Sequence, residues 1–246
     1  MKVLQINAVY GQGSTGTIVR DIERLCEQSG IECYVASPDP KVREAKRGYV
    51  IGNALDHKLH AFLSRIHGKQ AYYSHIPTKN FLRWIDEIKP DIIHLHNLHS
   101  NYIHLNKLLQ HLAEKNIKTI ITLHDCWFYT GGCFHYTAAG CRKWLIDCKN
   151  CPKQRSDTPA VLKKHSANIL ADRKKYLLAI PRLYITGVSE WMAHEPQKSF
   201  LRNVPNYIIY NGIDMDIFQP TTSDLRDKLQ LQNKYVILGP ASKWLL

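Results

Sequence analysis

Residues 2–37 read KVLQINAVYGQGSTGTIVRDIERLCEQSGIECYVAS, and this stretch decides the fold class. Two short apolar runs, VLQIN and ECYVAS, have the composition of buried β-strands. Between them lie a glycine-rich loop and a segment in which Ile18, Ile22 and Leu25 recur at helical spacing. A strand, a helix and a second strand in this order predict two parallel strands joined by a helix that packs on the sheet.

The same alternation of strands and helices continues along most of the chain. Further strands are predicted for DIIHLHN, TIITLHD, LYITGVS and YIIYNGID, which start at residues 91, 119, 183 and 207. Helices are predicted at residues 57–67, around Phe81, Ile85 and Ile88, along Leu105, Leu108, Leu109 and Leu112, from about Pro159, and after LYITGVS. This alternation predicts an α/β fold, a Rossmann-like parallel sheet with helices on both faces.

The last part of the chain predicts a separate segment. Residues 221–246 contain one predicted helix and one apolar strand at 235–239, and only seven residues follow that strand. Such a strand needs parallel neighbours on both sides. We therefore expect a first domain at residues 1–210, which includes a small cysteine-rich insertion at 124–153. Residues 211–246 are then a connection and the first strand of a truncated second domain.

The composition limits the compartment and the partners. The chain has 246 residues, 44% of them hydrophobic, and its formal net charge is +12. The N-terminus lacks the apolar core and small-residue cleavage site of a secretory signal, and no apolar run approaches a membrane span. We therefore expect a cytoplasmic protein with reduced thiols. The positive charge indicates an anionic partner, namely nucleic acid, an anionic membrane surface or a phosphorylated substrate.

Ligands of open parallel sheets bind beyond the carboxyl ends of the strands, so polar residues there are the first site candidates. The loop after the first strand, GQGSTG, provides Gly11, Gly13, Ser14, Thr15 and Gly16. Glycines between a strand and a helix N-terminus let the backbone approach a phosphate or a sugar hydroxyl. A plain tight turn would use the same residues, and the spacing is not that of the dinucleotide-binding fingerprint.

Histidines end two of the later predicted strands. His94 and His96 alternate along one strand and therefore lie on the same side of it, with Asn97 next in sequence. This pattern is more typical of hydrogen-bonded cleft histidines than of a metal pair. His124 ends another strand, and Asp125 follows it. A histidine there can exchange hydrogen bonds with a substrate hydroxyl near neutral pH, although a purely structural histidine is the alternative.

The predicted insertion contains four clustered cysteines, which are Cys133, Cys141, Cys148 and Cys151. Their spacing, C-x7-C-x6-C-x2-C, ends in a pair typical of one side of a tetrahedral zinc site, and His135 could replace one thiolate. Unliganded thiols and disulfides are the alternatives, and a reducing compartment favours a structural zinc. The other cysteines, Cys26, Cys33 and Cys126, are interpreted as buried free thiols.

Several motifs occur in the order found in one enzyme family. After the GxGSTG loop come PDIIHLHN at residues 90–97, TLHDCWFYTGGC at 122–133, GVSEWM at 187–192 and NGIDMDIFQP at 211–220. On these motifs the chain resembles the nucleotide-sugar glycosyltransferases of the GT-B fold, family 4, a retaining group that builds polysaccharides and lipid-linked glycans. NGIDMDIFQP is the most specific, because it resembles the family's connection from acceptor domain to donor domain. The HDxWxxTGxC element with its trailing cysteines resembles one subgroup.

The resemblance implies a nucleotide-sugar donor, a glycan or lipid-linked acceptor, and two Rossmann-like domains that face each other across a cleft. The loop at residues 11–16 would approach the donor phosphates and sugar. His124 and Asp125 would be the catalytic residues: His124 would hydrogen-bond the donor sugar near the reacting carbon, and Asp125 would help to fix the position of His124. The remaining predicted donor- or acceptor-binding residues are His96, Asn97, Ser189, Asn211 and Gly212. Such enzymes need no catalytic metal, so a zinc ion would be structural.

The sequence departs from the family pattern in one respect. The lysine and arginine that clamp the donor diphosphate, and the acidic Glu-x7-Glu region, would lie beyond residue 246. We therefore expect the chain to be incomplete and inactive alone. The alternative is a non-catalytic module that binds an anionic glycan or membrane surface. A nucleic-acid binder is disfavoured, because the basic residues lack the interleaved aromatic residues of single-strand platforms.

The segment HKLHAFLSRIHGK, residues 57–69, is the candidate for a membrane contact. At helical spacing it places apolar residues on one side and basic residues around them, namely Leu59, Phe62, Leu63 and Ile66 with Lys58, Arg65 and Lys69. An interfacial helix has this pattern and would place the protein on the cytoplasmic face of a membrane. A simple solvated helix face is the alternative.

Overall fold

The computed structural model describes residues 1–153, 157, 159–162, 165–237 and 239. The chain divides into two compact units, Met1–Asn211 and Gly212–Leu246. The roles expected for the two parts, an acceptor domain and a connection into a donor domain, stay predictions.

The first unit is built on one sheet of seven parallel strands. They are β1 (Lys2–Ile6), β2 (Glu32–Ser37), β3 (Gly48–Val50), β4 (Ile92–Leu95), β5 (Lys118–Leu123), β6 (Leu183–Gly187) and β7 (Asn206–Ile208). Their order across the sheet is β3-β2-β1-β4-β5-β6-β7. The strand order changes direction between β1 and β4, and ligands of open α/β sheets bind at such a point.

The helices of the first unit are α1 (Gly13–Gln28), α2 (Ala54–His67), α3 (His75–Ile88), α4 (Leu105–Glu114), α5 (Ser166–Leu178) and α6 (Glu190–His194). They lie on both sides of the sheet, so the predicted Rossmann-like α/β fold is confirmed. The helix expected from about Pro159 begins only at Ser166. Upstream of it, the backbone N–H groups of Val161 and Leu162 donate to carbonyl groups at the end of α2.

The main core lies between the middle strands and the helices that cover them. Leu4 and Ile6 of β1 pack in one cluster with Ile93 and Leu95 of β4, and all four side chains are buried. The predicted stripe on α4 is confirmed, because Leu105, Leu108, Leu109 and Leu112 are each at most 1% exposed. Burial of these leucines fixes α4 on the sheet, since each buried leucine contributes about 1.5–3 kcal/mol of transfer free energy.

Helix α1 packs with a different face from the one that its sequence pattern predicted. Its buried residues are Gly16, Val19 and Glu23, whereas Leu25 is exposed. The carboxylate of Glu23 is buried because it accepts hydrogen bonds from the Tyr10 hydroxyl, at 2.5 Å, and from the Lys46 backbone N–H, at 2.9 Å. These two donors satisfy a polar group that would otherwise stay in solvent.

Helix α2 reverses the usual amphipathic arrangement. Its buried residues are His60 and Ser64, whereas Leu55, Leu59 and Phe62 are 76%, 56% and 62% exposed. His60 Nδ1 lies 2.6 Å from Ser74 Oγ, so the buried ring is hydrogen-bonded. Among the described residues, no helix combines the length and the apolar content needed to cross a membrane.

The end of the chain differs from the prediction. The strand expected at residues 207–214 is the shorter β7, and the second unit contains a four-residue helix, α7 (Leu225–Lys228). Residues 235–237 and 239 are not in a strand, and residue 238 lies outside the described residues. A parallel strand needs a partner for its backbone groups. The described part of this unit contains no other strand that could pair with it.

Candidate active site

Three loops meet at the carboxyl edge of β1, β4 and β5. Asn7, the residue after β1, is fully buried and connects two of them. Its side-chain amide donates to the Val9 carbonyl at 2.8 Å and to Thr15 Oγ1 at 3.3 Å, and its oxygen accepts from the Asn97 backbone N–H at 3.1 Å. Sequence reasoning missed Asn7, although its position directly after a central strand was the available signal.

The glycine-rich loop forms the start of α1. Gly11 and Gly13 have φ angles of +64° and +61°, in the left-handed region that favours glycine. A Cβ on Gly16 would lie 3.3 Å from the backbone of Gly11, so the loop closes tightly there. The side chain of Gln12, the residue before α1, does not cap the helix, and Gly13 and Ser14 are exposed. The first N–H groups of a helix have no intrahelical acceptor, so this loop can bind an anion.

His94 in β4 and two histidines directly after strands, His96 after β4 and His124 after β5, form a row at this edge. His94 Nε2 lies 2.7 Å from Thr122 Oγ1, which lies 2.8 Å from Thr186 Oγ1. The rings of His94 and His96 are 4.1 Å apart, so they lie on the same side of the strand, as predicted. His96 Nδ1 lies 3.1 Å from His124 Nε2, across the two strand ends. His96 is fully buried, whereas His124 is half-buried at the edge of the sheet.

Burial keeps this row of histidines neutral. It lowers the pKa of His94 to about 4, with a smaller contribution from His124. It lowers the pKa of His96 well below the usual value and also lowers the pKa of His124, whose neighbour Asp125 acts in the opposite direction. At neutral pH these rings therefore exchange hydrogen bonds without carrying charge.

Asp125 is bound on both oxygens by groups of the same site. Its Oδ2 accepts from His99 Nε2 at 3.0 Å, and its Oδ1 accepts from the Trp127 backbone N–H at 2.8 Å. The backbone N–H of Cys126 donates to the Phe134 carbonyl at 2.8 Å and closes the loop behind it. Asp125 therefore fixes the loop that follows His124. Sequence reasoning did not identify His99 as its partner.

The family model described as Glycosyltransferase Family 4 matches residues 15–217, which is more than half of the chain. The chain belongs to this glycosyltransferase family. The match agrees with a GT-B type N-terminal domain, as the sequence motifs predicted. No curated protein matches the chain.

The matched region of this family 4 domain contains most of the predicted site. His96, Asn97, His124 and Asp125 lie inside it and are brought together at one edge of the sheet. The first glycines of the loop precede its first residue, but Asn7 joins Thr15 to Asn97.

The other predicted binding residues lie elsewhere in the chain. Ser189 precedes α6, and its Oγ accepts from the Met192 backbone N–H at 3.2 Å, so this hydroxyl caps the helix. Asn211 is the last residue of the first unit and Gly212 the first of the second, and both are exposed. Their predicted contacts with a donor or an acceptor stay predictions.

The cysteine-rich insertion follows β5, and its buried side chains pack in the main core cluster. Trp144 is buried, and its ring centroid lies 5.2 Å from that of Tyr129 and 4.8 Å from that of Tyr136. The four clustered cysteines line one cavity of about 10 Å³ beside Trp144. His135 is exposed and does not line this cavity.

All seven cysteines are free thiols. Cys33 and Cys126 are buried, as predicted, but Cys26 is only half-buried, so that part of the interpretation is wrong. In the described part of the chain, no three histidine, cysteine, aspartate or glutamate side chains are already arranged around a metal position.

Proposed function

We propose that this domain provides the acceptor side of a retaining, nucleotide-sugar-dependent glycosyltransferase that builds a polysaccharide or a lipid-linked glycan. One observation carries the proposal. Hydrogen bonds through Asn7 and between His96 and His124 connect the start of α1 with the ends of β4 and β5. An anion-binding helix start beside neutral hydrogen-bonding side chains suits a sugar that is leaving a diphosphate.

The N-terminus of α1 is suited to bind the leaving group of the reaction, which is the diphosphate of the donor. In this proposal the exposed backbone N–H groups at Gly13 and Ser14 bind a phosphate of the donor. Negative charge grows on the diphosphate as the bond to the sugar breaks, and the positive end of the helix dipole stabilises that charge. Gly11 and Gly13 have left-handed backbone angles, which glycine adopts without the strain that a Cβ would cause, so glycine is needed at both positions.

His124 has the chemistry for the sugar. Among the described residues, the buried Nε2 atom of His96 has no hydrogen-bond partner. If His96 Nδ1–H donates to His124 Nε2, the unpartnered Nε2 carries a lone pair and no hydrogen. Buried N–H groups without an acceptor are the rarer case. In this tautomer His124 presents Nδ1–H as a donor to a sugar hydroxyl. Because its pKa is lowered, the ring does not oppose positive charge at the reacting carbon.

Asp125 and His99 are positioning residues in this proposal. Both oxygens of Asp125 are engaged by His99 and by the Trp127 backbone, so this carboxylate acts by holding the loop. The His99 ring in turn packs edge-on against Phe134, with 4.6 Å between the ring centroids. A fixed loop keeps His124 within the narrow range of geometry that transfer requires.

The test uses the full-length gene product, a panel of nucleotide sugars, and the variants His124→Ala, His124→Asn and His124→Gln. We expect His124→Ala to lower kcat about 100-fold or more with little change in donor KM, because the lost contact strengthens in the transition state. Asparagine places its N–H where Nδ1 of histidine stands, whereas glutamine places it nearer Nε2. His124→Asn should therefore recover more activity than His124→Gln.

The controls separate chemistry from folding. Each variant must keep the wild-type Tm, and His67→Ala, at an exposed position on α2, must keep full activity. If His124→Ala lowers Tm while turnover per folded molecule is unchanged, His124 is structural and the proposal fails at this residue. If the full-length product transfers no sugar from any donor, the chain is a binding module.

A second proposed role, docking on an anionic membrane at its cytoplasmic face, rests on α2. Leu55, Leu59 and Phe62 are exposed on this helix, and Lys58 and Arg65 are exposed beside them. An interfacial helix needs this combination of apolar and basic groups. Docking there would bring a lipid-linked acceptor to the domain.

A further inference from the structure

One small cavity in the cysteine-rich insertion is lined by thiols from residues that are well separated along the loop. It is lined by Cys133, Cys141, Cys148 and Cys151, and its volume is about 10 Å³. A space of that volume admits about one water-sized sphere. It therefore suits a single ion and excludes any organic ligand.

The backbone around the cavity is held in place. The Gly131 backbone N–H donates to Cys148 Sγ at 3.3 Å. A Cβ on Gly131 would lie 2.8 Å from Cys148 Cβ and 2.4 Å from the Ser166 carbonyl oxygen, so only glycine fits between the cavity and α5. Cys148 and Asn150 adopt φ angles of +52° and +50°, which turn the chain tightly enough to bring Cys151 back to the same cavity.

Cationic side chains lie at this cavity and beneath it. Lys143 and Lys153 are among the lining residues, and Lys153 Nζ lies 3.3 Å from Asp157 Oδ1. Deeper in the fold, Arg173 of α5 is only 1% exposed. Its Nη1 donates to the Trp127 carbonyl and, at 2.5 Å, to the carbonyl of Thr130, the residue before Gly131.

Arg173 has no counter-ion in the described residues, in which no carboxylate lies within salt-bridge distance of it. Its Nε is buried and has no hydrogen-bond partner among the described residues, and its guanidinium lies 3.8 Å from the centre of the Trp127 ring. A buried, unpaired charge is strongly destabilising. An anionic group next to Gly131 would compensate it.

We infer that the four cysteines bind one structural zinc ion and that Arg173 compensates the charge of the resulting tetrathiolate. Zinc(II) displaces four thiol protons to solvent, and four thiolates with one dication carry a net charge of −2. In this proposal the cysteine side chains, including the half-buried Cys141 and Cys151, rotate on metal binding so that the sulfur atoms lie about 2.3 Å from the zinc. No electron transfer is involved.

The zinc would stabilise the loop that positions the candidate active site. Gly131 and Cys133 lie a few residues after Trp127, whose backbone N–H holds Asp125. Metal binding to a loop with little core of its own supplies folding free energy directly. Loss of the metal would therefore loosen the loop that follows His124.

The first experiment measures metal content in the untagged, purified chain by mass spectrometry. We expect about one zinc per chain in the wild type and none in Cys141→Ala. Cys26→Ala is the matched control, because Cys26 is also half-buried but does not line the cavity, and it should keep its zinc. Cobalt(II) in place of zinc should show the charge-transfer and ligand-field bands of a tetrahedral tetrathiolate, which a wild-type titration detects even if Cys141→Ala fails to fold.

A folded, metal-free wild type with four titratable thiols in the loop would overturn the zinc site. A disulfide mass shift between these cysteines, or iron in place of zinc, would overturn it as well. So would equal zinc loss in Cys26→Ala and Cys141→Ala.

The second experiment tests the role of Arg173 with Arg173→Lys and Arg173→Met. We expect Arg173→Met to weaken zinc binding at least about tenfold against a competing chelator, as outer-shell changes do, while Arg173→Lys keeps most of the affinity. Equal zinc affinity in the two variants would overturn the charge-compensation part of the inference. If Arg173→Met does not fold, Arg173→Gln takes its place, because glutamine keeps N–H donors for the Trp127 and Thr130 carbonyls without the charge, and a zinc affinity equal to that of the wild type would overturn that part too.

Discussion

Helices α2 and α4 both carry a clear apolar stripe, but the protein uses the two stripes in opposite ways. The four leucines of α4 are buried in the main core. On α2 the buried positions are His60 and Ser64, whereas Leu55, Leu59 and Phe62 are exposed and Leu63 and Ile66 are half-buried. An apolar stripe therefore predicts a helix and its two faces, but not which face packs on the rest of the protein.

The difference follows from the surroundings of each helix. Helix α4 packs against α3 and α5. Helix α2 is held by polar contacts: His60 meets Ser74 Oγ, His57 Nε2 lies 2.8 Å from the Ile51 carbonyl, and Ser64 donates to the Lys69 carbonyl at 3.1 Å. These polar contacts hold α2 through its buried face and leave the exposed apolar side chains available for a partner.

The largest expected effect is on α4. Leu109→Ala should lower the free energy of unfolding by about 2–5 kcal/mol, because it leaves a cavity in a packed core. Leu59→Ala on α2 should change it by less than about 0.5 kcal/mol, because Leu59 is exposed. Denaturant unfolding of the two variants measures both values. Equal costs would show that the apolar face of α2 is covered in the folded protein.

An intermediate effect concerns the buried face of α2. Burial lowers the pKa of His60 to about 3, below its unfolded value of about 6.5. Between these pH values the unfolded chain binds a proton that the folded chain does not, so stability falls as pH falls through this window.

His60→Asn keeps a polar group near Ser74 but removes this titration. We expect the free energy of unfolding of this variant to fall less steeply with pH than that of the wild type. The two slopes should differ by about 1.4 kcal/mol per pH unit, which is the effect of one proton. Unfolding measured from about pH 7 to about pH 4 provides both slopes. Parallel slopes would mean that His60 is protonated in the folded protein, and hence that the buried face of α2 opens to water.

The smallest effect on stability, but the sharpest on binding, is expected for the outer face of α2. The double variant Leu59→Ser with Phe62→Ser should keep the wild-type Tm and lose retention on vesicles that contain anionic lipid. The control double variant, Leu25→Ser with Leu178→Ser, changes exposed residues on α1 and α5 and should bind like the wild type.

Binding of the wild type to these vesicles should weaken as salt rises, because charges are screened over about 10 Å at 0.1 M ionic strength. Equal binding to neutral and anionic vesicles would contradict the role of Lys58 and Arg65. Equal losses in both double variants would mean that α2 has no special part in docking.

The sequence by itself determined the parts of this protein that depend on local periodicity. Alternating strands and helices predicted the parallel α/β sheet, the leucine stripe predicted α4, and strand ends predicted that His96 and His124 would lie at one edge. The ordered motifs predicted the glycosyltransferase family. The helices and strands could be predicted because they follow from the spacing of residues along one segment. The meeting of His96 and His124 could be predicted because the carboxyl ends of parallel strands share one edge of the sheet.

Only the tertiary structure decided which groups are paired across the fold. Glu23 is buried because Tyr10 and the Lys46 backbone satisfy it, Asn7 joins two loops, and Arg173 lies beneath the cysteine-rich insertion. Each of these contacts joins residues that are distant in sequence or lie in separate elements, so the periodicity of the sequence could not predict it. A polar side chain is buried only where such partners exist, and three-dimensional packing alone brings the partners to it.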